Sequence, residues 1–229
     1  MKCILCNSQN FDIITTKLRN NIKRNVVCCK DCKLTSLENP ESDMMNYETD
    51  YRKLHSPIIG KQLSPKQFFD YEIQFQQSRI ARIKKLLHSK YDVLEIGCST
   101  GHFLHSIKNE VNTVTGIELD TNYANFAREN CGLTVFQEPL EKINFEGKKF
   151  DVIFLFQVFE HISNPIFLLN EIKKHLKNNG QIHIEVPNLN DALLSIYGVD
   201  EFSKFYFRLP HVYYYDKSSL TKLLEMLNF

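Results

Sequence analysis

Residues 92–104 read Asp92-Val93-Leu94-Glu95-Ile96-Gly97-Cys98-Ser99-Thr100-Gly101-His102-Phe103-Leu104. The stretch begins as an apolar run of strand length, ends in a helical pattern, and has two glycines in the turn between them. An abrupt strand-to-helix turn requires glycine where φ is positive or where a ligand approaches the backbone closely. The unpaired N–H groups at the start of the following helix suit a carboxylate or a phosphate. A purely structural turn fits the pattern equally well, because many α/β turns contain two glycines.

A second short β pattern follows, and it ends in acidic residues. It reads Thr113-Val114-Thr115-Gly116-Ile117-Glu118-Leu119-Asp120. In doubly wound folds, an acid at the tip of the second strand can bind both hydroxyls of a nucleotide's ribose. Glu118 is therefore a candidate ribose ligand, and the alternative is that it only caps the next helix.

The two stretches together resemble those of class I S-adenosylmethionine-dependent methyltransferases. The first motif of that family is Glu/Asp-x-Gly-x-Gly-x-Gly. Glu95, Gly97 and Gly101 match this motif, and Ser99 replaces its middle glycine. A dinucleotide-dependent dehydrogenase is the competing interpretation. It would require Gly-x-Gly-x-x-Gly directly after the strand, and residues 92–104 do not contain that pattern.

Two Cys-x-x-Cys pairs stand near the start of the sequence, Cys3-Ile4-Leu5-Cys6 and Cys29-Lys30-Asp31-Cys32. Each pair can bind one side of a tetrahedral Zn²⁺, and the interval between them accommodates a β-hairpin, so the pattern predicts a zinc ribbon. Four free thiols are the alternative interpretation. Cys28 competes with Cys29 for the fourth position, but only Cys29 keeps the two-residue spacing to Cys32. Four cysteine ligands leave no position for a bound water, which predicts a structural metal.

The rest of the chain alternates strand and helix patterns, as a parallel sheet requires. We expect strands near 91–97, 113–118, 133–137, 150–156 and 181–186, and helices near 101–109, 121–130, 165–178 and 216–228. A further helix is expected from Ser64, with Pro65 in its first turn. The predicted fold class is α/β, a doubly wound, mostly parallel Rossmann-like methyltransferase sheet with a small N-terminal zinc ribbon. The family completes its sheet with an antiparallel strand pair, which we expect to be missing because the sequence ends at Asn228-Phe229, and such an open edge favours a homodimer.

The composition fits one medium-sized domain with a small additional module, since the chain has 229 residues, 43% hydrophobic and 24% charged, with net charge +1. We expect a zinc ribbon at 1–34, a linker at 35–63 and a methyltransferase domain at 64–229. Because the basic residues are not clustered, a nucleic-acid partner is not expected. Neither a signal peptide nor a membrane-spanning run is predicted, so a cytoplasmic location is the default. There the seven cysteines serve as metal ligands and buried thiols rather than disulfides.

The resemblance also implies which residues hold the cofactor S-adenosylmethionine. The predicted cofactor-binding residues are Glu95, Gly97, Cys98, Ser99, Gly101, Glu118, Leu119, Pro139, Leu140, Phe156 and Gln157. The residues of the glycine turn would lie along the methionine and ribose portions of the cofactor. Glu118 would accept hydrogen bonds from the ribose hydroxyls, and Pro139 would border the adenine. Phe156 and Gln157 would face the methionine end, and Cys98 is expected to contribute only its backbone.

Glu160-His161 follows the fourth predicted strand. The pair is common in family members that act on quinones, sugars and small metabolites, and some members have Glu-x-x-Glu-His, in which both acids and the histidine bind Mg²⁺. Here Gln157 replaces the first acid. Losing a carboxylate weakens a site for a hard cation, so no catalytic Mg²⁺ is predicted. His161 is a candidate general base or acceptor-orienting residue, and a histidine bonded to the backbone at a helix start is equally consistent.

The last motif is Leu209-Pro210-His211-Val212-Tyr213-Tyr214-Tyr215-Asp216. It resembles the His-x-x-Tyr-Phe-Ser segment of a bacterial methyltransferase group that also has an N-terminal zinc ribbon and includes sugar C-methyltransferases. The resemblance implies that His211 is the first choice for the general base, with an ordinary pKa near working pH, and that Tyr213 and Tyr214 line the acceptor pocket. An aromatic plug over the sheet is the structural alternative. Those sugar enzymes have a further C-terminal domain that this sequence lacks, so their specific reaction is not carried over.

The predicted function is S-adenosylmethionine-dependent methyl transfer to a small-molecule acceptor, a sugar or sugar-nucleotide-like hydroxyl or an acidic carbon in glycan or secondary metabolism. His211 or His161 would remove a proton before the acceptor attacks the S-methyl group. Two alternatives stay open. One is an RNA methyltransferase that uses its zinc ribbon to bind RNA, and the other is a non-catalytic binding module that retains the fold.

Overall fold

The computed structural model describes residues 1–40 and 63–229. These residues fall into two compact units, each with its own sheet. The ribbon unit comprises residues 1–40, 157–170 and 185–229, and the parallel-sheet unit comprises residues 63–156 and 171–184. Most of the linker predicted at 35–63 lies outside the described residues, and the boundaries proposed from the sequence stay a prediction.

The parallel-sheet unit is built on five strands in the order β6-β5-β4-β7-β8. Their bounds are β4 Asp92–Ile96, β5 Thr113–Ile117, β6 Thr134–Phe136, β7 Phe150–Phe156 and β8 Leu176–Glu185. Strand β4 pairs in parallel with β5 and β7, and β5 pairs in parallel with β6. The near-continuous apolar sequence of β7 matches its burial on both faces. The predicted α/β class with a mostly parallel Rossmann-like sheet is confirmed.

Helices cover this sheet. They are α1 Pro65–Glu72, α2 Gln76–Ile83, α3 His102–Ile107 and α4 Thr121–Cys131, and α5 Pro165–His175 precedes β8. The core between helices and strands contains fully buried Phe103, Leu104, Val93 and Phe154. Helix α1 begins as expected, because Ser64 forms a capping box with Gln67.

Two elements differ from the boundaries expected from the sequence, one helix and one strand. The helix expected from Ser64 is interrupted by a 3₁₀ turn at Ile73–Phe75, where the amide groups of Gln74 and Gln76 donate to the carbonyls of Asp70 and Glu72 and compete with the helical ladder. Strand β8 begins at Leu176 instead of 181. The ammonium group of Lys177 in this added part of β8 binds Asp92 at 2.9 Å and Asp151 at 2.7 Å, which holds it beside the amino ends of β4 and β7.

The ribbon unit has a four-stranded sheet in the order β1-β2-β3-β9. The strands are β1 Phe11–Lys17, β2 Lys23–Cys29, β3 Thr35–Leu37 and β9 Tyr213–Tyr214, and all neighbours are antiparallel. Strand β3 lies where the sequence predicted an irregular linker, and β9 was not predicted. The β3 segment is a strand because it is buried between two partners, with Thr35 opposite Tyr214 and Ser36 opposite Tyr213.

Three helices complete the ribbon unit. They are α6 Ala192–Ser195, α7 Asp200–Tyr206 and α8 Lys217–Met226. Asp216 caps α8 through a capping box with Ser219, which agrees with the helix expected near 216–228. Within residues 1–40 and 63–229, no helix combines the length and hydrophobicity needed to cross a bilayer.

Candidate active site

The turn after β4 has three residues in the left-handed region of backbone space. These are Gly97 at φ 76°, Ser99 at φ 53° and Gly101 at φ 75°. The N–H groups of Gly97 and Cys98 both donate to the carbonyl of Ile117, at 2.8 and 2.9 Å, and so attach the turn to the end of β5. Glycine adopts this conformation without strain, whereas Ser99 does so at a cost of about 1 kcal/mol. The turn therefore keeps the backbone path of the family motif with one strained residue.

Two glycines near the turn permit close packing. A Cβ atom on Gly101 would lie 2.4 Å from Leu133 Cδ1 and 3.1 Å from Ala127 Cβ, so any larger residue there would force the Leu133 side chain to move away from the start of α3. A Cβ atom on Gly116 of β5 would lie 2.5 Å from the Sγ atom of Cys98. Cys98 is fully buried, and its thiol packs on β5. Its side chain is therefore part of the core, and only its backbone faces the turn.

Glu118 connects the turn to the tip of β5. Its Oε2 accepts a hydrogen bond from the N–H of Ser99 at 2.8 Å, and its Oε1 accepts one from the N–H of Asp120 at 2.8 Å. The cap of helix α4 is Asp120, whose carboxylate accepts from the N–H groups of Asn122 and Tyr123. Glu118 is therefore not the helix cap, which was the structural alternative for this residue.

Glu95 is a buried carboxyl group in the middle of the parallel sheet. Burial raises the pKa of Glu95 to about 8, the guanidinium of Arg79 acts to lower it, and Glu118 acts to raise it. The Oε2 atom accepts no hydrogen bond within the described chain. Arg79 also lies over the ring of Phe156, 4.5 Å from the ring centroid. Sequence reasoning missed Arg79, because nothing in a helical pattern distinguishes one arginine that faces a buried acid.

The remaining predicted cofactor residues occupy the loops that follow the strands. Leu119 lies half-buried between Glu118 and the cap Asp120, and Pro139 precedes a 3₁₀ turn that begins with the buried Leu140. Phe156 ends β7. Gln157, in the ribbon unit, has a positive φ of 55°, and its N–H donates to the carbonyl of Glu185 at 2.8 Å. The four residues Glu95, Ser99, Glu118 and Phe156 are thus gathered at the carboxyl ends of parallel strands, where ligands of open α/β sheets bind.

The four predicted cysteine ligands lie together in the ribbon unit. The Sγ atoms of Cys3, Cys6, Cys29 and Cys32 all lie within 4.8 Å of one another. The shortest separations are 3.3 Å between Cys3 and Cys32 and 3.5 Å between Cys6 and Cys29. The thiol of Cys28 is directed elsewhere, toward the carbonyls of Cys29 and Lys33. Zn–S bonds of about 2.3 Å in a tetrahedron place sulfurs about 3.8 Å apart, so the cluster fits a zinc ion.

Two histidines named as alternative bases lie side by side in the ribbon unit, together with an acid that sequence reasoning did not assign to the site. The ring centroids of His161 and His211 are 4.8 Å apart. The Oε1 atom of Glu160 lies 3.8 Å from the Nε2 atom of each ring. All three side chains are buried. Adjacent Glu160-His161 in the sequence was the available signal, but only the fold brings His211 to it.

Hydrogen bonds define the role of one nitrogen in each ring. His161 Nδ1 lies 2.7 Å from the carbonyl oxygen of Pro210, and because a carbonyl only accepts, Nδ1 carries a proton. The Nε–H group of Arg208 donates to His211 Nε2 at 2.8 Å, so that nitrogen is an acceptor. The N–H of Val212 donates to the carbonyl of Glu160, which connects the two segments through their backbones.

Glu160 is a buried carboxyl group with a raised pKa and no hydrogen-bond donor from another residue of the described chain. Burial raises its pKa to about 8, while Arg208 acts to lower it and Glu185 to raise it. Neither carboxylate oxygen accepts a hydrogen bond from another residue of the described chain. A buried polar group without partners costs about 1–3 kcal/mol, so its retention calls for a function or a ligand.

Tyr213 and Tyr214 are both buried in strand β9. The hydroxyl of Tyr214 accepts from the N–H of Arg208 at 3.1 Å and donates to the carbonyl of Arg208 at 3.0 Å. Burial raises the pKa of Tyr214. This pair of hydrogen bonds holds the backbone of Arg208 beside the histidines, and the role of either tyrosine toward an acceptor stays a proposal.

A Rossmann-like sheet with a glycine turn after one strand, and an acid at the tip of the strand beside it, is the architecture of class I S-adenosylmethionine-dependent methyltransferases. The chain is a member of this class. The family comparison agrees, because the family model described as a methyltransferase domain matches residues 67–229. The chain therefore belongs to that family.

Curated relatives extend over part of the chain. It is 27% identical over 149 residues to a ubiquinone biosynthesis O-methyltransferase of Actinobacillus pleuropneumoniae, an alignment that covers 60% of this chain and 62% of that protein. It is 25% identical over 131 residues to a tRNA U34 carboxymethyltransferase of Campylobacter concisus, covering 53% of this chain and 43% of that protein. The chain thus spans less than two thirds of the length of both relatives.

Solved structures give the same fold. A SAM-dependent methyltransferase of Archaeoglobus fulgidus has a TM-score of 0.55 at 24% identity, covering 71% of this chain and 74% of that one. The plantazolicin methyltransferase BpumL, solved in complex with SAH, has a TM-score of 0.51 at 22% identity, covering 72% of this chain and 64% of that one. At these identities the likeness shows the fold alone.

Proposed function

We propose that this protein transfers the S-methyl group of S-adenosylmethionine to an oxygen, or an acidic carbon, of a small-molecule acceptor. The observation that carries the proposal is the buried cluster of His161, His211 and Glu160, which offers acceptor nitrogens in a family whose reaction needs a proton removed. A sugar or a sugar-nucleotide-like hydroxyl is our preferred acceptor. One of the relatives is a ubiquinone biosynthesis O-methyltransferase, which supports a small-molecule acceptor.

The cofactor half of the proposal rests on Glu118 and the glycine turn. Glu118 would exchange a backbone partner for the ribose hydroxyls, since a carboxylate can accept from several donors at once. Glu95 would lie near the methionine portion, where a cationic amino group would stabilise the ionised form of a buried acid. S-adenosylmethionine supplies the electrophilic methyl group, and the residues of the chain align it for in-line attack.

In the second part of the proposal, a histidine side chain removes the proton of the acceptor hydroxyl. A histidine nitrogen would take the hydroxyl proton, so that an oxygen lone pair could form the new C–O bond to the methyl group while the C–S bond electrons would stay with sulfur as a neutral thioether. The geometry favours His161 over His211, which was the first choice from the sequence. His211 Nε2 already accepts from Arg208, whereas the His161 ring is oriented by the hydrogen bond from its Nδ1–H group to the carbonyl of Pro210.

The cysteine cluster is proposed to hold a structural Zn²⁺. All four donors are cysteine sulfurs, the donor set of closed structural zinc sites, and their separations run from 3.3 Å to no more than 4.8 Å, a range that includes the edge of about 3.8 Å of a zinc–sulfur tetrahedron. Such an ion would fix the two knuckle turns, in which Asn7 donates to the carbonyl of Cys3 and Lys33 donates to the carbonyl of Cys29. It would leave no position for an acceptor, so its role is in folding.

An RNA acceptor is the second candidate, and the tRNA carboxymethyltransferase among the relatives is the observation that favours it. The net charge of +1 argues against it, because RNA binding normally requires a strongly basic surface. Titrating the protein with tRNA at two salt concentrations separates the cases. Tight binding that weakens steeply with salt would favour RNA, and binding that is absent at both would remove it.

The test of the main proposal has two stages. Calorimetric titration of S-adenosylmethionine should show binding that Glu118→Ala weakens at least tenfold, while the exposed Glu129→Ala has no effect. Transfer of a labelled methyl group is then assayed against sugar nucleotides, catechol-like phenols and tRNA. Transfer of the labelled methyl group to a small acceptor by the wild type, but not by His161→Gln, would support the proposal. Cofactor binding without transfer to any pool would instead indicate a non-catalytic module.

A further inference from the structure

A cavity of about 570 Å³ lies at the amino ends of strands β4, β7 and β8, within the parallel-sheet unit. This is the sheet edge opposite to the one that gathers the predicted cofactor residues. Its volume is in the range of about 300–1,000 Å³ that is typical of small-molecule sites. Two ammonium groups, three carboxamides, one phenol and one carboxylate line it. A lining of this kind fits a polar, charged ligand.

The carboxylate in the cavity, that of Asp151, already has a cationic partner. The Lys177 ammonium group binds Asp151 at 2.7 Å and Asp92 at 2.9 Å, and the N–H of Asp92 donates to Asp151 at 2.7 Å. Burial acts to raise the pKa of Asp92, but hydrogen bonds from Thr113, Lys177 and Asn112 lower it to about 2. The charge of Lys177 is therefore balanced by two ionised acids, and it is not the group that would bind an added anion.

Lys149 is the other cation of the cavity, and its side chain is exposed. Within residues 1–40 and 63–229, its ammonium group makes no hydrogen bond and no ion pair. The three carboxamides of the cavity belong to one segment, as Asn178, Asn179 and Gln181. This segment passes close to the start of β7, since a Cβ atom on Gly180 would lie 2.9 Å from the carbonyl oxygen of Phe150. An anion in the cavity would therefore meet one unpaired cation and several N–H donors.

The charge distribution at this edge also favours an anion. In a parallel sheet the covering helices end where the next strands begin, so segments that are far apart in the sequence meet there. Residues 82–92, 144–151 and 171–181 contain nine lysines and arginines against four aspartates and glutamates, whereas the whole chain has 28 against 27. Lys173 and Lys174 end helix α5 and complement its dipole, but Lys149 precedes β7 and has no such role. The excess positive charge would raise the local concentration of anions.

We propose that this cavity binds a nucleoside phosphate, at a site separate from the glycine turn. The phosphate would pair with the Lys149 ammonium group and accept hydrogen bonds from the carboxamide of Asn178. The half-buried ring of Tyr91 would pack against the base, and the carboxamide of Gln181 would bond to the base edge. A free nucleotide and a nucleotide within RNA present the same two groups. Binding at this site does not depend on the proposed methyl transfer.

The test uses labelled UMP in equilibrium dialysis against the full chain, with excess S-adenosylhomocysteine present so that the cofactor site does not take up the probe. We expect saturable binding that is at least tenfold weaker in Lys149→Ala. The matched control is Lys217→Ala, an exposed lysine of the ribbon unit, which should bind UMP as the wild type does. Tyr91→Leu should weaken UMP binding but leave competition by inorganic phosphate unchanged. Uridine, which lacks the phosphate, should compete at least tenfold less well than UMP, and equal competition by uridine would overturn the proposal.

A labelled decauridine, titrated at two salt concentrations, separates the two sources of the ligand. Binding tighter than that of UMP, steeply dependent on salt and lost in Lys149→Ala, would assign the site to RNA. Decauridine binding no tighter than that of UMP would assign it to free nucleotides. Two further results would overturn the proposal. One is the absence of saturable binding of both probes at millimolar concentration, and the other is unchanged affinity for both in Lys149→Ala protein whose thermal unfolding matches that of the wild type.

Discussion

The N–H of Ser99 donates to Glu118 Oε2 at 2.8 Å, so the strained residue of the first turn is held by the acid at the tip of the neighbouring strand. The donor is a backbone group, and it does not depend on the serine side chain. The hydrogen bond explains how serine keeps the left-handed conformation that the family motif normally gives to glycine. Charge-assisted bonds of this kind contribute about 1.5–3 kcal/mol, which exceeds the cost of one left-handed residue.

Ser99→Gly should therefore stabilise the protein. Glycine removes the strain at φ 53° and keeps the N–H donor to Glu118, so we expect the free energy of unfolding to rise by about 0.5–1 kcal/mol with cofactor affinity unchanged. Urea unfolding measures the first quantity and calorimetry the second. The matched control is Ser78→Gly, in exposed helix α2, where glycine should lower stability by about 0.5 kcal/mol. Equal losses in both variants would contradict the strain argument.

Gly101→Ala should be much more damaging than Gly132→Ala. Both glycines have positive φ, 75° and 65°, so both substitutions introduce comparable backbone strain. Only at Gly101 would the new Cβ meet another atom, Leu133 Cδ1 at 2.4 Å, whereas nothing lies within 4 Å at Gly132. We expect a loss of about 1 kcal/mol at Gly132 and about 2–4 kcal/mol at Gly101. The difference between the two thermal unfolding midpoints isolates the steric contribution.

Glu95 should make stability fall as pH rises. Its pKa is about 8 in the folded protein, above the ordinary value of 4.5, so the folded state holds a proton that the unfolded state releases between those limits. In that window the free energy of unfolding decreases by up to about 1.4 kcal/mol per pH unit. Glu95→Gln removes this slope. We expect the variant to gain stability relative to the wild type from pH 5 to pH 8, in urea titrations of both proteins.

The exposed Glu110→Gln is the control for that experiment, because a solvated carboxyl adds no comparable slope. Identical pH profiles for the wild type and Glu95→Gln would show that Glu95 is ionised in the folded state at neutral pH. Repeating the titration with saturating cofactor adds information. A cationic ligand beside Glu95 should flatten the wild-type slope.

Zinc content should distinguish the two adjacent cysteines. Cys29 belongs to the four-sulfur cluster, and the thiol of Cys28 is directed at backbone carbonyls. We therefore expect Cys28→Ser to retain one zinc per chain and Cys29→Ser to lose it, measured by atomic emission after removal of weakly bound metal. Loss of zinc should also expose the β1–β2 hairpin to limited proteolysis, since the proposed metal would fix both turns that flank it. Retention in both variants would disprove the assigned ligand set.

The sequence predicted features formed by neighbouring residues, but it did not predict contacts between residues far apart along the chain. The turn after β4, Glu118 and the alternation of strands and helices are local patterns, and the parallel sheet expected from them is the one observed. Strand β9 was missed because two residues are too few for a periodic signal, and their partners at Thr35–Leu37 come from the other end of the chain. The meeting of Glu160 with His211 was unpredictable for the same reason. The burial of the Glu160 carboxylate without hydrogen-bond donors results from the packing of the fold, and the amino-acid composition does not predict it.

The two histidines should differ in their effect on methyl transfer. The Nδ1–H group of His161 donates to the carbonyl of Pro210 and orients the ring, whereas Nε2 of His211 accepts from Arg208. With zinc-loaded protein and no further metal added, His161→Gln should lower the transfer rate by about 100-fold or more, the usual contribution of a general base. His211→Gln should lower it less, because the proposed base His161 is retained. The exposed-residue variant His88→Gln should match the wild type, and a larger loss in His211→Gln than in His161→Gln would reverse the assignment.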